Sequence, residues 1–593
     1  MSKKVSQVKF EESKLQKCGH CGQEKSSLLS SKSDSYDLVS LFEHVYASGS
    51  PNFKGCKIKI GVKFNMSLWR AKLKSYEDKI VCEFLEFGFP LDFNKKKSLC
   101  FNVRKNHKGA RDYEEFIEKY FQKECEELRV AGPFSKNPLS VPLVVSPMNT
   151  VPKKNSVDER RVIVDLSWPK GAAVNEGISK DMYLGDVIDL HYTSVEQVCE
   201  MVIQKGVGSV IYKRDLRHAY RQIPVDPGDY RYLGYFWKEH LYFDSVLAMG
   251  QRNAAMACTR MTKAVMFMHC NNGYLGTSYL DDLIGVEEES KGTEAYQSLG
   301  ILLEDLGLLE NYSKACLPST VQIVLGIEVD TIAGTLSVPQ EKMGEIFEVL
   351  VEWRKKVKTN KIDLQSLIGK LQFVTKCVRQ SRIFLNRLLD VLRSMKSDRC
   401  IKLSDAFMKD ICWWDSFMDK FNGVAYFPAM VWSEPDVVFS TDSCLSGCGG
   451  FYAHEYFHSS YPDEIMSQGL PIHSLEMLAV LIAVRFWGRY CSSGKVQIFC
   501  DNEPVVRVIN SSKTKDKFLA TCLRELWLEV SKYAFELRAV HLPGVDNRVA
   551  DWLSRWDLHP DYSKQFFQFI DGERETYSEV IVTAEIFRFT EGL

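Results

Sequence analysis

Hydrophobic residues recur at helical spacing in two separate stretches of the chain. In residues 66–130, and most regularly from Tyr113 to Leu128, charged residues separate the apolar positions. In residues 340–425 apolar side chains again follow i, i+3, i+4, i+7 spacing, which is typical of a helix with one buried face. The members of this second series are Leu364, Leu367, Ile368, Leu371, Val374 and Val378. The pattern therefore predicts two helical regions.

Elsewhere the hydrophobic pattern indicates strands that alternate with short helices. It does so in residues 140–335 and again in residues 432–556. Residues 1–60 are rich in Ser, Lys and Gly with weak periodicity, so they are predicted to form a mobile leader. The sequence thus predicts an α+β multidomain protein, and we find no internal repeat in it.

The overall composition is typical of a soluble globular protein. The 593 residues are enough for three or four domains, and the hydrophobic fraction of 45% and charged fraction of 26% are ordinary. No run of about 18 apolar residues predicts a membrane span, and the charged N-terminus lacks the apolar segment of a secretory signal. The 18 scattered cysteines suit reduced thiols better than a disulfide framework. We therefore expect a cytoplasmic or nuclear protein that is not secreted.

The net charge of −1 is low for a protein that binds nucleic acid, but such binding depends on local clusters of Lys and Arg. The clusters are Lys95 to Arg111, Lys153-Lys154 with Arg160-Arg161, and Arg354 to Lys361. Each cluster could equally be a solvated surface. Near the N-terminus, Cys18, His20 and Cys21 form half of a zinc-site pattern without a second pair. Zinc binding there is the less favoured of the two interpretations.

Two adjacent aspartates lie between apolar runs in Ser278-Tyr279-Leu280-Asp281-Asp282-Leu283-Ile284. The pattern predicts a hairpin with acids at or beside its turn, and the predicted strand 207–215 ends at a third acid, Asp215. Adjacent carboxylates repel each other unless cations neutralise them. Two Mg²⁺ ions, or Mn²⁺ in their place, could activate a 3′-hydroxyl and stabilise a leaving pyrophosphate. These three aspartates are therefore the predicted metal ligands and catalytic residues of a first centre, although exposed acidic turns without a metal are common.

A second series of acids lies near the C-terminus. Asp442 ends a β-rich run, and glycines at 447–450 are predicted to form the following turn. Ser474 is predicted to cap a buried helix that carries Glu476 in its first turn. Such a buried carboxylate needs a partner, and a metal would serve. The full series is Asp442, Glu476, Asp501 and Asp551, with His541 at a strand end before the last acid. The four acids are the candidate metal ligands of a second centre, and His541 is a candidate catalytic residue beside them.

The residues around Asp215 resemble the first palm motif of retroelement reverse transcriptases. The string is Lys213-Arg214-Asp215-Leu216-Arg217-His218-Ala219-Tyr220-Arg221-Gln222-Ile223-Pro224-Val225. The resemblance implies that Tyr220 lies under the incoming sugar and excludes a 2′-hydroxyl, with simple packing as the alternative. Residues 151–165 resemble the fingers hairpin, which implies that Lys154 and Arg161 grip the triphosphate.

Further strings resemble the later palm motifs of the same family. They are Gly250-Gln251-Arg252-Asn253-Ala254, Ser313-Lys314-Ala315-Cys316 and Leu325-Gly326-Ile327. The resemblance implies that Gly250 and Gln251 line the nucleotide pocket, where glycine permits close backbone approach, although Ala248 and Met249 depart from the family pattern. It also implies that Lys314 is an acid for the departing pyrophosphate, and a surface lysine is the alternative.

The second series resembles the ribonuclease H of retroelements, which includes an asparagine six residues after the histidine, here Asn547. The resemblance implies that the four acids bind two metals that activate water, and that His541 helps proton transfer or product release. A structural histidine is the alternative. The implied substrate is the RNA strand of an RNA–DNA hybrid.

The order of these motifs resembles DIRS-type retrotransposons, and so do finer strings over about residues 80–570. They are Phe87-Gly88-Phe89-Pro90-Leu91, Asn106-His107, Gly132-Pro133-Phe134, Ile163-Val164-Asp165-Leu166-Ser167-Trp168-Pro169, Leu367-Ile368-Gly369-Lys370-Leu371, Trp413-Trp414, Asn422-Gly423 and Ala550-Asp551-Trp552-Leu553-Ser554-Arg555. The partners that the resemblance implies are an RNA template, a DNA primer, an RNA–DNA hybrid, dNTPs and a separately encoded tyrosine recombinase. It implies no association with a membrane.

The implied fold is a right-hand polymerase with fingers, palm and a helical thumb or connector, followed by an α/β ribonuclease H-like domain. The predicted units are the leader (1–60), a helical N-terminal extension (61–135), fingers and palm (136–338), the thumb or connector (339–430), the ribonuclease H domain (431–558) and a C-terminal tail (559–593). Two rival hypotheses remain: a domesticated copy that binds nucleic acid without catalysis, and a DNA-templated polymerase. The presence of all seven acids disfavours the first, and the ribonuclease H pattern disfavours the second.

Overall fold

Two large hydrophobic cores meet at one antiparallel sheet in the middle of the chain. The computed structural model describes residues 28–48, 64–101, 105–152, 159–377, 379–395, 399–420, 424–427, 435–491, 494–533, 535–571 and 576–589. Helices and strands are both abundant in these ranges and belong to several packed units, so the predicted α+β multidomain fold class is confirmed. In the same ranges no helix has the length and apolar character needed to cross a membrane.

The helices and strands are numbered in chain order. The helices are α1 (Leu28–Ser48), α2 (Met66–Lys72), α3 (Val81–Phe87), α4 (Lys108–Asp112), α5 (Glu114–Glu126), α6 (Val174–Gly177), α7 (Val195–Lys205), α8 (Ala254–Asn271), α9 (Glu289–Leu306), α10 (Gln340–Trp353), α11 (Lys361–Cys377), α12 (Asn386–Ser394), α13 (Asp405–Lys420), α14 (Asp463–Met466), α15 (Ile472–Trp487), α16 (Glu503–Ser511), α17 (Lys517–Tyr533), α18 (Arg548–Ser554) and α19 (Pro560–Phe569). The strands are β1 (Val130–Phe134), β2 (Met148–Pro152), β3 (Arg160–Val164), β4 (Met182–Tyr183), β5 (Asp186–Val187), β6 (Val210–Asp215), β7 (Gly234–Trp237), β8 (His240–Asp244), β9 (Leu275–Tyr279), β10 (Asp282–Glu287), β11 (Cys316–Ser319), β12 (Val321–Val324), β13 (Ile327–Asp330), β14 (Thr335–Ser337), β15 (Lys358–Thr359), β16 (Ile401–Lys402), β17 (Val424–Tyr426), β18 (Val437–Ser443), β19 (Gly447–Tyr452), β20 (Glu455–Ser460), β21 (Lys495–Cys500), β22 (Glu536–His541) and β23 (Ser578–Glu579).

The central sheet, which we call the palm sheet, has the strand order β11-β6-β10-β9 and is antiparallel throughout. Successive side chains of a strand point to opposite faces, and here each face meets a different core. Tyr212 and Leu283 belong to the core that extends toward the N-terminus, whereas Ile211 and Ile284 belong to the core that extends toward the C-terminus. The two central strands, β6 and β10, are therefore buried on both faces, whereas the outer strands β9 and β11 are partly exposed.

The prediction of a mobile leader is wrong for residues 28–48, which form α1. Leu38, Phe42 and Val45 of this helix are 2%, 0% and 1% exposed, and Leu38 and Phe42 join the N-terminal core. Ser35 accepts a hydrogen bond from the Gly132 N–H at 3.2 Å. Serines and lysines lie between the apolar positions and weaken the helical periodicity of the sequence. The apolar face is therefore evident only from its packing against the N-terminal core. The Cys18, His20 and Cys21 pattern lies outside the described residues.

The region from 140 to 335 contains longer helices than the pattern predicted. α8 and α9 have 18 residues each, whereas only short helices were expected. α8 is buried along most of its length and is rich in Met, Ala and Thr. An element that is apolar on nearly every side lacks a clear period of 3.6, which explains why its length was missed.

The predicted helical region after residue 340 is present as α10 to α13. The predicted buried series on α11 is confirmed for Leu364, Leu367, Ile368, Leu371 and Val374, which are at most 4% exposed. Val378 lies outside the described residues. This region shares one continuous core with the palm sheet and with the C-terminal sheet, and the domain boundaries proposed from the sequence remain predictions.

The C-terminal sheet has the order β22-β21-β18-β19-β20-β23. β18, β21 and β22 are parallel, and β19 and β20 continue the sheet in antiparallel pairing. α15 lies against this sheet with almost every side chain buried, as its apolar sequence predicted. The carboxyl ends of the three parallel strands therefore lie at one edge, above the start of α15.

Two local predictions for this sheet are wrong. Ser474 does not cap α15, because the helix begins at Ile472 after Pro471, and the Ser474 hydroxyl is buried without a hydrogen-bond partner among the described residues. The glycines at 447–450 form strand β19 instead of a turn. A Cβ atom on Gly449 would lie 2.4 Å from the Leu553 Cβ, and one on Gly447 would lie 3.0 Å from the Ser554 carbonyl oxygen, so these two glycines let α18 pack closely on the strand.

The segment predicted as a C-terminal tail folds against the C-terminal sheet. β23 adds a parallel strand beside β20. Phe566 of α19 is fully buried, and Phe587 is 7% exposed in the main core. Single aromatic anchors separated by polar residues give little periodicity, so the sequence did not indicate that this segment packs.

Candidate catalytic centres

The palm sheet brings three carboxylates together at one end of two paired strands. β6 ends at Asp215 and β10 begins at Asp282, and these residues are direct partners in the antiparallel register. Asp281 lies in the turn between β9 and β10, where its carbonyl accepts a hydrogen bond from the Leu216 N–H at 3.1 Å. Leu280 has a left-handed φ of +53°, a conformation that costs energy in a residue other than glycine. The predicted acid-bearing hairpin is therefore present, with strain in its turn.

Lys314 lies beside the most buried of these acids. Its Nζ atom is 3.2 Å from Asp215 Oδ2, and the two side chains are 62% and 5% exposed. The Asn311 N–H also donates to the Asp215 carbonyl at 2.7 Å, which ties the loop before β11 to the end of β6. Lys314 is thus a solvent-accessible cation that contacts the centre, so it is both a surface residue and a neighbour of the acids.

The electrostatics of this centre favour a cation. Burial, followed by the charges of Asp281 and Asp215, raises the pKa of Asp282 to about 6 from an ordinary 3.8. Burial also raises the pKa of Asp281, with a further contribution from Asp215, while Lys314 and Arg161 lower it. Carboxylates whose pKa is raised by burial and mutual repulsion are stabilised in the charged form by a nearby cation. The oxygen-only donor set fits Mg²⁺ or Mn²⁺.

A pH dependence of stability follows from Asp282. Its folded-state pKa of about 6 exceeds the ordinary 3.8, so the folded protein keeps a proton that the unfolded chain releases. This contribution to stability is complete below pH 3.8 and is lost as the pH rises through about 6. In a chelator, the thermal midpoint of the wild type should therefore fall relative to that of Asp282→Asn over this window. A difference that stays constant with pH, measured by calorimetry, would contradict the predicted shift.

Tyr220 lies on a short 3₁₀ segment, Ala219–Gln222, directly after the palm strand. Its ring is half-buried against the N-terminal core, and burial, Cys258 and Asp281 raise the pKa of its phenol. The structure therefore brings Tyr220 into the neighbourhood of Asp281. Tyr220 therefore packs on the core and lies near the acids at the same time.

The segment that carries Tyr220 is held by a buried ionic network that the sequence did not indicate. Arg221 donates to Asp244 at 2.6 Å and to Glu124 at 2.8 Å, and Arg129 also binds Glu124 at 2.7 Å. All four side chains are at most 7% exposed. Separating these charges would leave one of them buried without a partner, which is energetically costly. Because Arg221 directly follows Tyr220, the network holds the backbone beside Tyr220 in place. Arg221 lies 97 residues after Glu124 in the chain, which explains why no local pattern indicated that they pair.

Gly250 and Gln251 lie in a turn that faces the fingers hairpin. Gly250 has a φ of +96°, and a Cβ atom there would be 3.2 Å from the Val164 carbonyl oxygen, so the position requires glycine for conformation and for close approach. Gln251 is only 5% exposed, and its side-chain amide donates to Asn253 at 2.8 Å. The Gln251 side chain therefore supports the turn from within.

Asn175 is a residue of this region that sequence reasoning missed. Its side-chain amide donates to Ser167 Oγ and to the Gly250 carbonyl, both at 2.9 Å, and its side-chain carbonyl accepts from the Arg252 N–H at 2.9 Å. It thus joins the loop after β3 to the turn at Gly250 through three hydrogen bonds. The only sequence signal was its place shortly after the string from Ile163 to Pro169.

The fingers hairpin is formed by β2 and β3 in antiparallel pairing. Arg161 is exposed on β3, and its charge lowers the pKa of Asp281, so it acts electrostatically on this centre. Its neighbour Arg160 instead stacks on the Tyr113 ring at 3.6 Å and donates to Thr150. Lys154 lies outside the described residues.

The second centre lies at the carboxyl ends of β18 and β21. Asp442 is in β18, Asp501 directly follows β21, and Glu476 rises from α15 beneath them. The Ser443 N–H donates to Glu476 at 3.3 Å, and Ser554 Oγ donates to Asp442 at 2.5 Å. The sheet edge and two helices thus position these acids.

The acids of this centre are electrostatically coupled. Burial, followed by Asp442 and Asp501, raises the pKa of Glu476 strongly. Burial also raises the pKa of Asp442, with contributions from Asp501 and Asp551, although the Ser554 hydrogen bond lowers it. Each of the four predicted acids therefore interacts electrostatically with at least one other. Arg555 offsets part of this charge, because its Nε lies 2.7 Å from Asp551 Oδ1.

One group of three side chains among the described residues could bind a single metal ion, because their potential ligand atoms lie within 4.8 Å of one another. The three side chains are Glu476, Cys500 and Asp501. The palm carboxylates do not form such a set. The arrangement of two oxygens and one sulfur fits a divalent ion, and Cys500 is a member that sequence reasoning missed.

His541 ends β22 beside the same sheet edge. Its Nε2 lies 3.0 Å from the Asp501 carbonyl oxygen, and its side chain is exposed. Asn547 has a buried role, because its amide donates to the Thr441 carbonyl at 2.9 Å and so ties the loop before α18 to β18. The structure thus brings His541 next to Asp501 while leaving it accessible.

No protein-family model and no curated protein matches this chain. Solved structures to which it is similar include a foamy viral protease-reverse transcriptase in complex with double-stranded DNA, with 12% identity, a TM-score of 0.45 and coverage of 83% of this chain and 84% of that one. Another is the foamy viral protein in complex with an RNA/DNA hybrid, with 12% identity, a TM-score of 0.44 and coverage of 84% and 65%. At this level of identity and TM-score the likeness does not indicate a substrate or a mechanism. Both are inferred below from the geometry of the two centres.

Proposed function

We propose that this chain is an RNA-directed DNA polymerase with ribonuclease H activity. The observation that carries the proposal is the presence of two separate carboxylate centres on one chain. One joins Asp215, Asp281 and Asp282 at the end of the palm sheet, and the other gathers four acids at the edge of the C-terminal sheet. Synthesis of DNA and hydrolysis of its RNA template are two different reactions, and one centre would perform each of them.

In the palm centre the proposed reaction is attack of a primer 3′-oxygen on the α-phosphorus of a dNTP. A P–O bond to pyrophosphate breaks as the new phosphodiester forms. Divalent ions bound by the three aspartates would supply Lewis-acid stabilisation of the attacking and leaving oxygens. Arg161 binds the triphosphate, and Lys314 Nζ, which already contacts Asp215, donates a proton to the departing pyrophosphate.

In the second centre the proposed reaction is hydrolysis of the RNA strand of a hybrid. Water attacks a phosphorus atom and the RNA 3′-oxygen leaves. Asp442, Glu476, Asp501 and Asp551 would hold the metal ions, and His541, exposed beside Asp501, accepts or releases a proton as the product departs. The 2′-hydroxyls of the RNA strand identify it to the enzyme.

We propose further that the chain belongs to a DIRS-type retrotransposon and acts with a separately encoded tyrosine recombinase. Several strings that suggested this family support one another in space. Phe89 pairs with Val225 of the palm motif, Asn253 donates to the Leu91 carbonyl at 3.1 Å, and His107 lies 3.1 Å from Asp165. Strings that contact one another in the folded protein are expected to occur together in the sequences of one family.

Primer extension with a labelled RNA template tests both activities at once. The purified chain should extend a DNA primer on RNA in Mg²⁺ and shorten the labelled RNA after it has been copied. Synthesis on DNA but not on RNA would favour the DNA-templated alternative. Absence of both products would leave only the interpretation of a nucleic-acid-binding protein without catalysis.

Tyr220 provides a test of the nucleotide pocket. Replacing it with Ala or Val should allow incorporation of ribonucleotides, because the ring would no longer fill the space beside a 2′-hydroxyl. Loss of one such steric contact is expected to change the ratio of dNTP to rNTP incorporation by about 10-fold to 200-fold. The measurement is kcat/KM for each nucleotide, with Tyr220→Phe as the control that keeps the ring. Unchanged discrimination in both small variants would assign Tyr220 to packing alone.

A further inference from the structure

Cys500 lies inside the second centre at the end of β21, directly before Asp501. Its side chain is fully buried, and its Sγ atom is 3.9 Å from Glu476 Oε2. The sulfur also accepts a hydrogen bond from the Asn502 N–H at 3.5 Å. The thiol is therefore held between a carboxylate and a backbone donor, with its position fixed from both sides.

The spacing of this thiol and its two acidic neighbours suits a single small ion. One ligand atom from each of Glu476, Cys500 and Asp501 lies within 4.8 Å of the other two. Around a tetrahedral Zn²⁺ with Zn–S of about 2.3 Å and Zn–O of about 2.1 Å, a sulfur and an oxygen lie roughly 3.6 Å apart. Side-chain rotations that shorten these separations to about 3.6 Å would close the set around one ion.

The charges around Glu476 favour binding of that ion. Among the described residues, neither Lys nor Arg forms an ion pair with Glu476, and its contacts are the Ser443 N–H and the Cys500 thiol. Arg555, a cationic side chain of this centre, is already paired with Asp551. A buried carboxylate without a cationic partner is costly unless it is protonated or binds a metal.

A sulfur ligand changes which ion is preferred. Mg²⁺ takes hard oxygen ligands, whereas thiolate selects Zn²⁺ and similar soft ions. We propose that Glu476, Cys500 and Asp501 bind a thiophilic divalent cation such as Zn²⁺ or Co²⁺. The thiol proton leaves to solvent as the sulfur–metal bond forms. Every ligand that the palm centre offers is a carboxylate, so this property distinguishes the two centres.

The functional consequence rests on the proposed ribonuclease H activity, whereas the binding itself does not. A thiophilic ion held by Glu476 and Asp501 occupies two of the acids that would hold the catalytic ions. Zn²⁺ therefore acts as an inhibitor that is specific to hybrid cleavage, and DNA synthesis at the palm centre continues. The second centre is thus regulated by the availability of soft metal ions.

Cobalt titration of the full chain tests this inference. Co²⁺ bound to thiolate shows a charge-transfer absorption in the near ultraviolet that all-oxygen coordination lacks. Because Cys18 and Cys21 could also bind Co²⁺, both are changed to Ser in every protein used. We expect one equivalent of Co²⁺ to produce the band and Zn²⁺ to remove it. Cys500→Ser should abolish the band and weaken Zn²⁺ binding by about 10-fold to 100-fold or more.

The matched control is Cys522→Ser, which removes another fully buried thiol of the same region, on α17. It should keep the band. If Cys500→Ser fails to fold by circular dichroism, Glu476→Gln keeps the thiol and should still weaken Co²⁺ binding. Absence of the band before any change at Cys500, its persistence in Cys500→Ser, or an unchanged affinity in Glu476→Gln overturns the inference.

Hybrid cleavage in Mg²⁺, measured on the same preparations, separates this inference from the proposed function. A cobalt band in a protein that cleaves no hybrid would refute the nuclease proposal and leave the metal site standing. Cleavage that Zn²⁺ does not inhibit, in a protein without the band, would refute the metal site and leave the nuclease proposal standing.

Discussion

Asp281→Asn and Asp282→Asn should each reduce RNA-templated primer extension by about 10³-fold or more. Both substitutions keep the side-chain shape but remove a negative charge from the centre at the end of the palm sheet. The charge stabilisation that a bound metal supplies is worth several kcal/mol, and each 1.36 kcal/mol is a factor of ten in rate. Asp282 faces Asp215 across the paired strands, so its loss removes half of the opposed pair.

The measurement is single-turnover extension of a labelled DNA primer on RNA in Mg²⁺. Asp305→Asn is a suitable control, because this exposed carboxylate of α9 lies on a helix that packs behind the palm sheet. It should retain the wild-type rate. If wild type and both Asn variants gave the same background extension, the polymerase proposal would be lost. Extension of the same size on DNA templates alone would indicate a DNA-templated enzyme.

Asp442→Asn should abolish cleavage of an RNA–DNA hybrid while DNA synthesis continues. Asp442 is 4% exposed and is coupled electrostatically to Asp501 and Asp551, so removal of its charge disrupts the whole second centre. An asparagine can still accept the hydrogen bond that Ser554 donates, so the fold should survive. By the same reasoning as for the palm centre, the expected loss is about 10³-fold or more.

The assay follows shortening of a labelled RNA strand and extension of the primer in one reaction. Asp463→Asn, an exposed acid of α14 beside the same sheet, is the control and should cleave normally. Loss of both activities in Asp442→Asn would mean that the two centres are not independent. The continuous core that links Phe439 of β18 to Leu364 of α11 gives a physical route for such coupling.

The palm hairpin illustrates what local sequence can predict. Two apolar runs around a pair of aspartates determined the strands, the turn and the acids, since strand period and turn position act over a few residues. The same local logic predicted the strand that ends at Asp215 and the buried face of α11. The glycines at 447–450 failed this logic, because Gly447 and Gly449 are required by the close approach of α18, which lies about a hundred residues later in the chain.

Contacts between distant segments were beyond local patterns. Asn175 reaches Gly250 across 75 residues, and Arg221 reaches Glu124 across 97 residues. For neither residue do the adjacent residues in the sequence indicate this long-range contact. α1 was missed for a related reason, because its buried positions are separated by polar residues and gain meaning only from the core against which they pack.

The sequence by itself determined the order and identity of the acids, the strands and helices that carry most of them, and the α+β class. These features depend on side-chain periodicity and on charge, which are local properties. Only the tertiary structure decided that Asp282 faces Asp215, that Lys314 contacts the same acid, and that the Cys500 thiol joins Glu476 and Asp501. The physical reason is that sheet order and helix packing bring together groups that are far apart along the chain, and both the shifted pKa values and the metal preference depend on those distances.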